Sequence, residues 1–372
     1  MVFLLILKKA FDTVNHKILL TKLEHIGLRG VANTWIKSYL ENRSQCVILN
    51  GVTSNSKNIT CGVPQGSILG PLLFLVYIND MHNASEKCAV HHFADDTNLL
   101  FSHKDPRTIQ KVMNKELVYL FQWLCANRLS LNVVKTEFIL FQPPKINLEN
   151  RIVLKLNRTK IFASYKIKYL GVILDHKLTW KHHINELSKK LSRAVGMLYK
   201  IREFCPTSTL RSIYFSIFNS HLCYGLPIWG NADRVLLNRL INLQKMAIRA
   251  ISFADFNAHT SPLFKKHEIL TLTDLYQHKL ASLLWDLDHE KLPNSLLNLF
   301  CKRNDIHNHL TRMSSSGKYS VKKFNTKRYG QRSFQVEGTL AINRLKSLDA
   351  YRNSSSKPAF LNKYKMSLLE LY

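Results

Sequence analysis

Two adjacent carboxylates, Asp95-Asp96, stand in the segment His92-Phe93-Ala94-Asp95-Asp96-Thr97, between two apolar stretches that read as strands. A two-residue turn joining antiparallel strands can push both side chains to one end of a sheet. Hard carboxylate oxygens held together are what a divalent cation such as Mg²⁺ needs for phosphoryl transfer. Taken alone, the pair reads better as a solvated turn. The segments around it reverse that balance.

Upstream, Gly62-Val63-Pro64-Gln65-Gly66-Ser67 forms a loop shaped by glycine and proline, and Gln65 in it offers an amide to a base or sugar. The loop leads into a buried helix over 68–81, where Pro71 is tolerable near the first turn. Near the start stands Lys9-Ala10-Phe11-Asp12-Thr13-Val14-Asn15-His16. Further on, Leu129-Ser130-Leu131-Asn132 with Lys135-Thr136 precedes a strand, and Lys166 to Asp175 reads Lys-Ile-Lys-Tyr-Leu-Gly-Val-Ile-Leu-Asp.

Between these segments the hydrophobic period alternates between strand and helix. Residues 2–7 read as a buried strand, and 13–27 and 31–41 as helices. Two strands, 45–49 and 57–61, surround Asn50-Gly51 with a loop longer than two residues. A long helix covers 106–126, and 136–141, 152–156 and 166–174 read as strands. Beyond Trp180 the pattern is helical, near 181–204, 208–220, 233–253 and 272–288. A mixed α/β region to about 175 followed by helix implies a domain change there.

The chain has 53 Lys and Arg against 25 acidic residues, a formal net charge of +28. Such an excess makes nucleic acid the leading partner, because basic surface gains from counterion release along a phosphate backbone. The basic residues are spread out rather than gathered on one amphipathic helix, so a membrane surface fits less well. The apolar run at the N-terminus is too short for a signal segment, and no window approaches the ~20 apolar residues of a membrane span. Seven cysteines without a C-x-x-C pair fit reduced thiols in an intracellular protein. Cys301 with His307 and His309 lacks a second cysteine and fits a loop better than a zinc site.

In order and spacing these motifs resemble the palm of non-LTR (LINE-type) retrotransposon reverse transcriptases. The resemblance is close over residues 1 to about 260 and looser around Tyr329-Gly330-Gln331-Arg332-Ser333-Phe334. Telomerase and group II intron enzymes share the palm, but the Gly-Val-Pro-Gln-Gly-Ser stretch and Phe-Ala-Asp-Asp favour the LINE branch. The resemblance implies an α/β (α+β) right-hand palm over 1–175 with incomplete fingers. A helical thumb-like region at 176–260, a helical connector at 261–300 and a basic C-terminal region at 301–372 would follow. That last region holds fifteen Lys/Arg against four acidic residues, a net +11, and is expected to add sequence-independent nucleic-acid affinity.

By the same resemblance the activity is RNA-directed DNA polymerisation, with an RNA template, a DNA primer, a dNTP and Mg²⁺. Asp95 and Asp96 would ligate the metal pair, and Lys135 would face the triphosphate as a general acid. Phe11 would be the gate against a ribose 2′-hydroxyl. Pro64, Gln65 and Gly66 would line the nucleotide and template site, and Tyr169-Leu170-Gly171 would belong to the primer grip. The residues themselves also allow Phe11 and Tyr169 as core aromatics and Lys135 as a solvated strand-edge charge.

The departures are specific. In the family a metal-binding aspartate opens motif A six residues before the Asp of Ala-Phe-Asp, and here that position is Ile6, which cannot ligate Mg²⁺. Asp12 cannot take over, since six residues of strand span roughly 20 Å, far beyond one metal site. The expected fingers and any endonuclease region are absent, so a truncated and mutated copy is the expectation. Two readings follow: a polymerase of low activity, or an inert remnant that at most binds nucleic acid.

Overall fold

A computed structural model of the chain describes residues 1–142, 152–157, 159–302, 319–326 and 330–372. They fall into two compact units, Met1–Tyr169 and Leu170–Tyr372. The first mixes helix and strand, and the second is almost wholly helical.

The first unit is built on β1 (Val2–Ile6), whose residues are apolar at every position because both of its faces are covered. The chain continues through α1 (His16–His25), α2 (Val31–Leu40), β2 (Ser44–Gln45), β3 (Ile48–Leu49), β4 (Val52–Thr53), β5 (Lys57–Asn58) and α3 (Leu69–Ile78). It then forms β6 (Ala89–Phe93), β7 (Asp96–Leu100), α4 (Pro106–Ala126), β8 (Glu137–Ile139), β9 (Leu154–Leu156), β10 (Thr159–Ile161) and β11 (Lys166–Tyr169). An antiparallel sheet runs in the order β6-β7-β1-β8. Phe3, Leu5 and Leu99 point from one face into a core shared with Leu19 and Leu23 of α1 and with Met113, Leu117 and Leu120 of α4. Strand 2–7 thus lies beside the paired aspartates, with helices 13–27 and 106–126 sharing its core, as the motif order requires.

Local chemistry sets the helix ends. Asp105 accepts from the N–H groups of Arg107 and Thr108 at 3.2 and 2.9 Å, and Pro106 opens α4 where no intrahelical donor is needed. Asn15 caps α1 through Ile18 N–H at 3.1 Å, so the helix starts at His16.

Three expectations change. Asn50-Gly51 closes a two-residue turn between β3 and β4, with φ of 50° and 80°, because both residues tolerate the left-handed region that such a turn demands. The helix after the Gly-Val-Pro-Gln-Gly loop is buried on one face only, since Ile68, Leu72 and Leu75 are exposed. The segment 166–174 is not one strand: Leu170 and Gly171 take φ of 44° and 79° and end β11 at Tyr169.

The second unit contains β12 (Val172–Asp175), α5 (Lys181–Ile201), α6 (Thr207–Ile213), α7 (Ser220–Cys223), α8 (Leu226–Trp229), α9 (Arg234–Ile251), α10 (Ser261–Lys266) and α11 (Leu272–Asp288). A π-helical stretch, Tyr214–Asn219, joins α6 to α7. After α12 (Asn294–Leu297) come α13 (Phe334–Leu345), α14 (Asp349–Arg352) and α15 (Lys357–Leu369). Buried Asp175 starts α5 by accepting from the N–H groups of Thr179 and Trp180, both at 2.9 Å. One continuous core runs from Ile184 to Leu369, through residues that the sequence divides at 260 and 300. The basic C-terminal region is therefore partly core: Phe360 is fully buried and stacks on Trp285 at 5.0 Å.

Candidate active site

The register of β1 against β7 puts Ile6 directly opposite Asp96, Leu4 opposite Asn98 and Phe3 opposite Leu99. Side chains alternate along a strand, so Ile6, Asp96, Leu4 and Asn98 share the face turned away from the Phe3–Leu5 core. Residues paired in this way have Cβ atoms about 5 Å apart. The turn proper is Ala94-Asp95, with Ala94 at φ 50°, and Asp96 is already the first residue of β7 paired with Phe93. The two aspartates therefore occupy different positions, one in the turn and one in the sheet, rather than sharing the turn. Burial, with Asp95 beside it, pushes the Asp96 carboxyl above its ordinary value.

Asn98 donates through Nδ2 to the Tyr169 hydroxyl at 2.6 Å. Burial raises the Tyr169 phenol, the Asn98 hydrogen bond opposes that rise, and Asp96 adds to it. Tyr169 thus stands on the carboxylate face of the sheet and is no core aromatic.

A second group gathers just after β1. Lys9, in the left-handed region at φ 49°, ends the strand and turns the chain into a short 3-10 helix, Ala10–Thr13. The residues between Ile6 and Asp12 are therefore not extended, and the separation expected from a strand does not apply. Asp12 is occupied in another way: Gln65 Nε2 donates to its Oδ1 at 2.8 Å. The N–H groups of Gly62 and Val63 donate to Val14 and Phe11 carbonyls at 2.7 and 2.8 Å, which sets the Gly62–Gly66 loop against Phe11–Val14. Gly62 has φ 93°, and a Cβ there would lie 2.9 Å from the Asp12 carbonyl oxygen, so only glycine fits. Phe11 stacks on buried Phe74 with centroids 4.5 Å apart. Its ring is fixed against α3. Pro64 is half-buried, while Gln65 and Gly66 are exposed.

Lys135 is exposed in the turn before β8. Lys8 N–H donates to the Ser130 carbonyl and Asn132 N–H to the Ile6 carbonyl, both at 2.8 Å, and these bonds tie its loop to the end of β1. Leu170 and Gly171 open the second unit: the Tyr224 hydroxyl donates to the Leu170 carbonyl at 2.5 Å.

The sheet accordingly brings Asp95, Asp96 and Ile6 together, the Asn98 hydrogen bond adds Tyr169 from β11, and backbone bonds tie the Lys135 loop to β1, while Phe11, Pro64, Gln65 and Gly66 form the adjoining loop pair. Asp12 as the partner of Gln65 and Tyr224 as the partner of Leu170 were not legible, because each pairs with a residue about fifty positions away. Among the described residues, no group of three or more His, Cys, Asp or Glu side chains could hold a metal ion. The candidate zinc histidines His307 and His309 and the motif residue Tyr329 lie outside the described residues. None of the seven cysteines is paired. No described helix is long and apolar enough to cross a membrane.

Residues 1–174 match the family described as reverse transcriptase (RNA-dependent DNA polymerase). The RNA-directed DNA polymerase from mobile element jockey of Drosophila melanogaster is 29% identical over 289 residues, which cover 73% of this chain and 30% of that protein. The probable RNA-directed DNA polymerase from transposon X-element of the same species is 28% identical over 281 residues, covering 72% of this chain and 30% of that protein. This chain thus spans about a third of the length of these relatives. Apo telomerase from Candida tropicalis aligns over 74% of this chain and 46% of that chain, with a TM-score of 0.35 and 16% identity, too slight a likeness to fix any detail. The family match gives residues 1–174 as a reverse transcriptase domain, and the relatives support one of the LINE type.

Proposed function

We propose that this chain binds an RNA template paired with a DNA primer but has lost templated DNA synthesis. The observation that carries the reading is the pairing of Ile6 with Asp96 across β1 and β7. Reverse transcriptases depend on divalent metal to stabilise the attacking and leaving oxygens of an in-line displacement. Asp95 and Asp96 would supply two of the ligands here, and an aliphatic chain stands where the third belongs. In this reading Phe11, Pro64, Gln65 and Gly66 form the nucleotide side of the site, Lys135 faces the triphosphate, and Tyr169-Leu170-Gly171 meets the primer. The charge of +28 supports nucleic acid as the ligand, since it favours a polyanion whatever its sequence.

The loss of one bridging carboxylate removes several kcal/mol of charge stabilisation, and each ~1.4 kcal/mol is a tenfold loss in rate. An RNA-templated primer-extension assay with dNTPs and Mg²⁺ should show no product above background for the 372-residue protein, whereas a hybrid duplex should bind. Robust extension that Asp95→Asn abolishes would overturn this reading.

A further inference from the structure

Leu170 is a branched, non-glycine residue held at φ 44°, and Gly171 beside it sits at φ 79°. A strained turn of this kind persists only where its surroundings over-determine it, and such turns cluster at ligand clamps. The surroundings here belong to one short segment. Tyr224 donates its hydroxyl to the Leu170 carbonyl at 2.5 Å. Its ring fills the space a side chain at Gly171 would need, with Cε1 3.0 Å from where that Cβ would be. Gly225, at φ 62°, lets the backbone pass close to Val172, since a Cβ there would meet Val172 Cγ2 at 3.2 Å. Fully buried Trp229 fixes Tyr224 in turn, because its Nε1 donates to the Tyr224 carbonyl at 2.9 Å. His183, whose ring centroid lies 5.5 Å from that of Trp229, accepts through Nδ1 from the Ile173 N–H at 3.4 Å. The strand after the turn is thus held from the same cluster.

We infer that Tyr224 is a positioning residue: it holds the Leu170-Gly171 turn in the strained conformation that places a primer 3′ end. The inference rests on the reading given under Proposed function, that Tyr169-Leu170-Gly171 meets the primer. Tyr224 does not take part in the chemistry. The residue before the turn, Tyr169, carries the hydroxyl bonded to Asn98 of β7.

The test uses the full chain and a DNA primer annealed to an RNA template, with 2-aminopurine at the primer 3′ terminus or deep in the duplex. Tyr224→Phe removes only the hydroxyl and should leave the melting temperature and the overall duplex affinity nearly unchanged. The fluorescence response of the 3′-terminal probe should fall about fivefold or more, while that of the internal probe stays as it was. Gly171→Ala, which drives a methyl against the Tyr224 ring, should give the same selective loss. A merely structural tyrosine would move both probes together or neither. A normal 3′-terminal response in both variants would overturn the inference alone, as would an equal loss at both probe positions. Failure of the unaltered protein to bind the duplex would instead sink the functional reading, and the inference with it.

Discussion

Gly62 links the two halves of the loop pair that the sequence motifs single out. Its positive φ and the 2.9 Å approach of a virtual Cβ to the Asp12 carbonyl leave no room for a methyl group. Gly62→Ala should cost about 1–3 kcal/mol of stability, through strain at a left-handed position and displacement of the loop. Chemical denaturation measures the cost directly, and an unchanged midpoint would mean that the loop and the Asp12 carbonyl are not in contact. The same neighbourhood shows what single residues can reveal in advance. The adjacency of Asp95 and Asp96 and the aliphatic Ile6 are visible in one line of sequence, because each is defined against its own motif. The partnership of Gln65 with Asp12 is not visible, since its geometry depends on a turn at Lys9 that ends the strand.

Four buried or half-buried histidines on separate elements, His92, His183, His267 and His278, have their pKa lowered from 6.5, with burial the leading cause at each. A histidine kept neutral in the fold takes up a proton more readily when unfolded. Stability should therefore be constant above the unfolded value of about 6.5 and fall as pH drops below it. Asp288, on α11, behaves differently. Burial raises its carboxyl, but hydrogen bonds from Lys346 and Tyr351 outweigh that and hold it below the ordinary value, so its contribution fades only in the carboxylate range. Melting temperatures at pH 7.5 and 5.5 should differ, and His183→Asn, which keeps an acceptor for the Ile173 N–H but cannot titrate there, should reduce the difference. An equal slope in the variant would remove His183 from the account. Element by element, α4 was readable as a long helix over 106–126. α13 and α15 were not, because their apolar positions are diluted by serine, asparagine and lysine and take their meaning from α11, about fifty residues or more away in the chain.

At the scale of the molecule, the C-terminal charge is not all available to a polyanion. Arg332 pairs with Asp233 at 2.7 Å, Lys346 with Asp288 at 2.7 Å, and Lys357 with Asp286. Removing residues 301–372 would also uncover the core around Phe360, so truncation is no clean test of nucleic-acid binding by this region. Exposed Lys322 and Lys323 offer a better one. The double variant Lys322→Glu, Lys323→Glu should weaken binding uniformly across sequences and flatten the salt dependence by about one unit of slope for each phosphate left without its lysine. An unchanged slope would take this part of the C-terminal region out of the interface. The central claim concerns the donor set beside Asp96, and titration with Mn²⁺, a paramagnetic stand-in for Mg²⁺, measures it without any need for activity. The unaltered protein should bind Mn²⁺ weakly. Ile6→Asp should tighten binding at least about tenfold, as a third charged ligand joins the pair, and adding Asp95→Asn should reverse the gain. Tight, saturable binding by the unaltered protein, abolished by Asp95→Asn, would contradict the account, as would the absence of any gain in Ile6→Asp.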